Sequence, residues 1–202
     1  MPDQLTRDRA VFLFLDHQVG PLWEPDATGL RRDAARLAAA AKRLGVPTVL
    51  SAMSCDAWGP IVPELREASR GAPTVRRATI NAWHVQRVRQ AIEATGRTHL
   101  IIAGLAIEGS VLATALAAAE SGFHVHLVLD ASGHFRRDDA TGAIARLLRA
   151  GVTVTTASAL LVQLGKGLDS QATEILALAV CHSLPSPPAT APMPARATGD
   201  AA

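Results

Sequence analysis

This 202-residue sequence predicts a three-layer α/β/α protein: a parallel, twisted sheet with helices on both faces. Three observations predict it. Short apolar runs alternate with Ala- and Leu-rich segments of ten or more residues. Glycine closes several of those segments, as at a helix C-terminus. The short runs are apolar at successive positions rather than every second one, as in strands buried on both faces.

In order, Ala10 to Leu15 reads as a buried strand ending at Asp16, and Leu30 to Leu44 as a helix stopped by Gly45. Val46 to Ser51 is a second strand. Pro60, Pro63, Gly71 and Pro73 break the next stretch into a loop with one short helical turn. Val85 to Thr95 is an amphipathic helix ending at Gly96. Thr98 to Ala103 is a strand, Gly104 to Gly109 a turn, and Ser110 to Ser121 an alanine-rich helix closed by Gly122. Val125 to Leu129 is a strand ending at Asp130. The helix Asp139 to Ala150, strand Val152 to Thr156, helix Ala157 to Leu164 and a terminal helix Gln171 to Val180 complete the pattern. Residues 1–182 form one expected domain. Residues 183–202 are Pro- and Ala-rich, cannot bury enough apolar surface to order themselves, and are expected to be a disordered tail.

Hydrophobic residues make up 49% of the chain and aromatic ones 3%, with no tyrosine, so the core must be built of Leu, Val, Ile and Ala. The net charge of +2, with arginines spread along the chain, gives no basis for binding nucleic acid or anionic membranes. No apolar run approaches the roughly 20 residues that cross a bilayer. The polar first ten residues lack the apolar centre of a signal peptide, and two cysteines, Cys55 and Cys181, do not make a disulfide framework. A cytoplasmic protein is expected.

In open parallel sheets, ligands bind at the carboxyl ends of the strands. Asp16, the segment Gly104–Ser110 and the segment Asp130–His134 therefore stand where chemistry would sit. From position alone, Asp16 suits either proton transfer or a loop cap. Ser110 suits either a nucleophile or an N-cap, the commoner role for serine at a helix start.

Several pieces in order resemble the isochorismatase-like (cysteine hydrolase) superfamily, nearest its YcaC-type bacterial hydrolases. They are Leu15-Asp16-His17-Gln18, Gly59-Pro60 with Val62-Pro63-Glu64-Leu65, Ile80-Asn81-Ala82-Trp83, Leu100-Ile101-Ile102-Ala103-Gly104 running into Glu108, and Asp130-Ala131-Ser132-Gly133. The resemblance runs from about Arg9 to Leu164. It implies that superfamily's α/β fold, a homo-oligomer, and hydrolysis of a small molecule by an Asp, Lys and Cys triad. Asp16 matches the aspartate, Arg77 (or, one register away, Arg76) stands at the lysine position, and Ser110 at the cysteine. The oxyanion donors would be the N–H groups of Ala106 and Ser110, beside a cis bond between Leu105 and Ala106.

Neither Lys42 nor Lys166 replaces the missing lysine by motif, and Cys55, which sits after the second strand, is out of place in the motif order for the nucleophile. The stretch Ser54 to Trp58 holds no histidine, so the family's metal site is not expected, nor is a cofactor. Trp83, Ile107 and His134 are the substrate-side candidates, with packing against a neighbouring subunit the alternative for Trp83 and a structural or rim position for His134. His17 is expected to turn away from the pocket.

A serine hydroxyl is harder to deprotonate than a thiol of pKa about 8.5 and needs a well-placed base. Arginine stabilises charge but cannot shuttle a proton. Three functions follow: a hydrolase of a C–N bond with Ser110 as a slow nucleophile, an acid-catalysed vinyl-ether hydrolase that uses Asp16 alone, or an inactive ligand-binding or scaffold protein.

Overall fold

The first strand sets the architecture. In the computed structural model, which describes residues 4–22 and 28–166, β1 (Ala10–Leu15) is buried at every position. Its side chains alternate between two cores. Phe12 and Phe14 join one with Leu37, Leu50, Ile101 and Leu161, while Val11, Leu13 and Leu15 join the other with Val88, Ile102, Val111 and Leu127. A strand with apolar contacts on both faces must lie inside a layered structure.

Around β1 the chain forms a six-stranded parallel sheet in the order β3-β2-β1-β4-β5-β6. The other strands are β2 (Thr48–Met53), β3 (Thr74–Arg77), β4 (His99–Gly104), β5 (His124–Val128) and β6 (Thr153–Thr155). Helices α1 (Thr28–Arg43) and α6 (Ala157–Leu164) supply the first core, and α2 (Pro63–Ala68) packs along α1. Helices α3 (Gln86–Glu93), α4 (Leu112–Glu120) and α5 (Arg137–Arg149) supply the second. The strand order reverses direction between β1 and β4. That reversal opens a crevice at the carboxyl ends of these two strands, where such sheets hold ligands.

The structure corrects the sequence reading in two places. The broken stretch leads into a further strand, β3, which pairs with β2 in register Met53 with Arg77. It is short, lies at the sheet edge and is half exposed, so its sequence TVRR lacks the apolar signature of an inner strand. The alanine-rich helix begins at Leu112 rather than Ser110, because Ile107 to Val111 forms a wider π turn kinked at Gly109. The expected helix Gln171–Val180 and the tail 183–202 lie outside the described residues.

Candidate active site at the sheet crevice

Asp16 is the residue at which β1 stops. Its φ is +58°, the left-handed region that a non-glycine residue enters at a cost of about 1–2 kcal/mol. Its N–H still pairs with Ser51 of β2 at 2.9 Å. The side chain meets Arg77, whose Nη2 donates to Asp16 Oδ2 at 2.5 Å, with both side chains wholly shielded from solvent. Arg77 ends β3 and is buried, whereas Arg76 points to the other side of the strand and is exposed. Of the two arginines, Arg77 is therefore the one beside the acid. Burial raises the Asp16 carboxyl above its ordinary value. The Arg77 charge, the Ser110 hydroxyl and the Met53 N–H pull it back without cancelling that rise.

Ser110 lies on the far side of the crevice, after β4. Its hydroxyl is near enough to the Asp16 carboxyl to favour the charged form, while in this geometry its proton is donated to Leu105 O at 3.0 Å. Rotation about the Cβ–Oγ bond redirects that proton. Asp16 Oδ1 has no well-formed hydrogen bond to a described residue. The serine caps neither the π turn nor α4, neither of which has a side-chain cap. Asp16, Arg77 and Ser110, distant in sequence, thus converge in one place, each at most 5% exposed.

The turn that carries Ser110 contains a cis Leu105–Ala106 peptide. Ala106 O accepts from Gly109 N and Val111 N at 3.0 and 3.2 Å, and Ile107 N donates to Gly133 O at 2.8 Å. Gly104 is required where β4 enters the turn. A Cβ there would stand 2.7 Å from Leu15 Cβ and 2.9 Å from Val111 Cγ2.

Two substrate-side expectations are corrected. Trp83 is buried against α4, its indole N–H donates to Ser121 Oγ at 2.8 Å, and its ring meets Phe123 edge-on at 5.0 Å. That places it at the opposite end of α4 from Ser110, in packing. Ile107 buries its side chain in the core formed by α3, α4 and α5. His134 is exposed on the loop after β5, at the rim. His17 turns away as expected: Nε2 bonds Ala131 O at 3.0 Å, its ring packs on Phe14, and burial pushes its pKa down to about 4. Cys55 is a half-buried free thiol. Among the described residues, no group of three or more His, Cys, Asp or Glu is placed to hold a metal, and no helix is long and apolar enough to cross a membrane.

Sequence reasoning missed the residues that hold the crevice together. Gln18 Nε2 donates to Met53 O and Gly59 O at 3.0 and 2.7 Å, and its Oε1 accepts from Met53 N, tying the loops after β1 and β2. Glu108 Oε1 accepts from Phe135 N and Arg136 N at 2.8 and 2.9 Å, tying the Ser110 turn to the loop after β5. Both lie inside the quoted motifs. A polar residue beside a strand-end acid was the available signal.

Comparison with known proteins assigns the family and the fold. The isochorismatase domain profile matches residues 10–159. The probable hydrolase YcaC of Escherichia coli is 37% identical over 160 residues, covering 76% of each chain. Two solved structures superpose with TM-scores of 0.82 at 32% identity. One is YcaC from Pseudomonas aeruginosa with hexane-2,5-diol and covalent acrylamide, covering 90% of this chain and 94% of that one. The other is the E. coli YcaC gene product, an octameric hydrolase of unknown specificity, covering 90% and 93%.

Proposed function

We propose that this chain, which belongs to the isochorismatase family, hydrolyses a C–N bond of the amide type in a small molecule, with the Ser110 hydroxyl in the place of the family's cysteine thiol. The observation that carries the reading is the Asp16 carboxyl held between the Arg77 guanidinium and the Ser110 hydroxyl in one buried crevice. Asp16 takes the Ser110 proton as Oγ attacks the substrate carbonyl carbon. The N–H groups of Ala106 and Ser110 receive the negative oxygen. The C–N bond then breaks, Asp16 returns the proton to the leaving nitrogen, and water hydrolyses the serine ester through the same carboxylate. Burial supports this use of Asp16, because a carboxyl raised above its ordinary range is a better base. Arg77 stays charged throughout and balances the carboxylate.

The raised carboxyl favours a second reading as well. A protonated Asp16 donates to a vinyl-ether substrate, water adds, and no nucleophile is needed. A panel of amide, ureido and vinyl-ether substrates separates the two. Amide hydrolysis lost in Ser110→Ala supports the nucleophile, and activity kept in Ser110→Ala but lost in Asp16→Ala supports the acid. Activity seen only in Ser110→Cys means the chain serves as a ligand-binding or scaffold protein, and the hydrolase reading fails.

Assembly as a homo-oligomer belongs to the same proposal. The octameric E. coli relative supports it, as do the exposed Ile80, Leu148 and Val162. A cytoplasmic site of action is part of the same reading, supported by a sequence whose two cysteines make no disulfide framework.

A further inference from the structure

Two aromatic side chains join the halves of the crevice. Trp58 ends the short turn Asp56–Trp58 after β2, and Phe135 stands on the loop after β5. These strands are three steps apart across β1 and β4, about 14 Å at ordinary strand spacing. Even so, the rings meet edge-to-face with centroids 6.2 Å apart. Contact is possible only if the two loops lean toward each other over the carboxyl ends of the strands between them.

Their anchors tie the pair to the site. Trp58 O accepts from Gly20 N at 2.9 Å, four residues after Asp16, and a Cβ on Gly20 would collide with the neighbouring Ala57 O. The Phe135 N–H is held by Glu108, two residues before Ser110. One ring is therefore fastened to the Asp16 loop and the other to the Ser110 turn. Asp16 and Ser110 are 1% and 5% exposed, whereas Phe135 itself is 59% exposed. The buried pair needs an opening, and the exposed ring is the part that moves with little loss of packing.

We propose that Trp58 and Phe135 form an aromatic latch across the crevice, and that the parting of these rings sets the size of the group able to reach Ser110. The inference rests on the placement of the reacting centre at Ser110 proposed above. It makes the two rings specificity-determining residues without a part in bond breaking. An edge-to-face pair favours the closed form by roughly two- to tenfold.

Access is read without turnover by alkylation. In the full chain carrying Ser110→Cys, the introduced thiol reacts with iodoacetamide and with the bulkier iodoacetanilide, and peptide mass mapping separates it from Cys55 and Cys181. Phe135→Ala and Trp58→Ala raise the rate by roughly two- to tenfold, more for iodoacetanilide than for iodoacetamide. Phe135→Leu, which keeps bulk at an exposed position and loses the ring, shows the same direction. Glu120→Ala, at the exposed C-terminal end of α4, leaves the rate unchanged. Equal rates in all variants, equal acceleration of both reagents, or acceleration by Glu120→Ala overturns the latch, whether or not the wild type hydrolyses amides.

Discussion

Arg77 and Asp16 meet in a fully buried ion pair although their strands, β3 and β1, are separated by β2. The contact is possible because Asp16 leaves the strand through a left-handed residue and Arg77 ends the edge strand beside Met53. Asp16 Oδ1 and Arg77 Nε each lack a hydrogen-bond partner among the described residues. The pair is therefore held by mutual attraction while part of its desolvation goes uncompensated.

Removing one partner strands the other charge in the interior. Asp16→Ala and Arg77→Ala are each expected to destabilise the fold by about 3–5 kcal/mol. The double variant, which removes both charges, is expected to be more stable than either single one. Denaturant unfolding of the four proteins checks this. Strictly additive losses would show that the contact carries no coupling.

Gly104→Ala tests the junction of β4 with the Ser110 turn. The added methyl has Leu15 O at 2.8 Å and Val111 Cγ2 at 2.9 Å, and two of the nearest neighbours belong to the rigid end of β1. Overpacking of this kind costs about 1–3 kcal/mol. A denaturation midpoint unchanged from wild type would mean the turn yields freely.

The parallel sheet and its inner strands were legible because burial on both faces demands unbroken apolar runs, as in β1 and β4. The edge strand was not, since TVRR needs an apolar side chain only where it faces the sheet's neighbours. The Asp16–Ser110 pairing was legible from strand ends and motif order. The directions of Trp83 and Ile107 were not, because both depend on how the π turn and the 3-10 turn Ala82–His84 seat against α4. Trp58 and Phe135 are far apart in sequence, and no local periodicity marks a contact between loops.

Glu108 holds two backbone N–H groups with one carboxylate oxygen. Glu108→Ala is expected to cost about 1–3 kcal/mol, while Glu108→Gln, which keeps an acceptor oxygen, costs less. Amide hydrogen exchange at Phe135 and Arg136 should quicken in the alanine variant first. Unchanged exchange at both positions would assign the order of this loop to other contacts.

Acid should unfold this protein through its buried histidines. His17, His99 and His126 are each pushed from 6.5 down to about 4, in every case first by burial. His99 Nδ1 and His126 Nε2 lie 3.0 Å apart, and the charge of His124 adds to the effect on both. Between about 6.5 and about 4 these rings stay neutral when folded and bind protons when unfolded, so unfolding takes up protons and stability falls as pH falls. Asp16 acts in the opposite sense. Its raised folded value means that the folded state binds the proton more readily, and its contribution grows as pH falls toward 3.8. Three histidines outweigh one carboxyl, so the denaturation midpoint should decline steadily from pH 7 to about 4. Replacing His99 by Gln should flatten the decline, because it removes one titrating ring and lifts one cause of the shift at His126. A midpoint that holds or rises over this window would show that the rings are solvated, and the packing assigned to them here would be wrong.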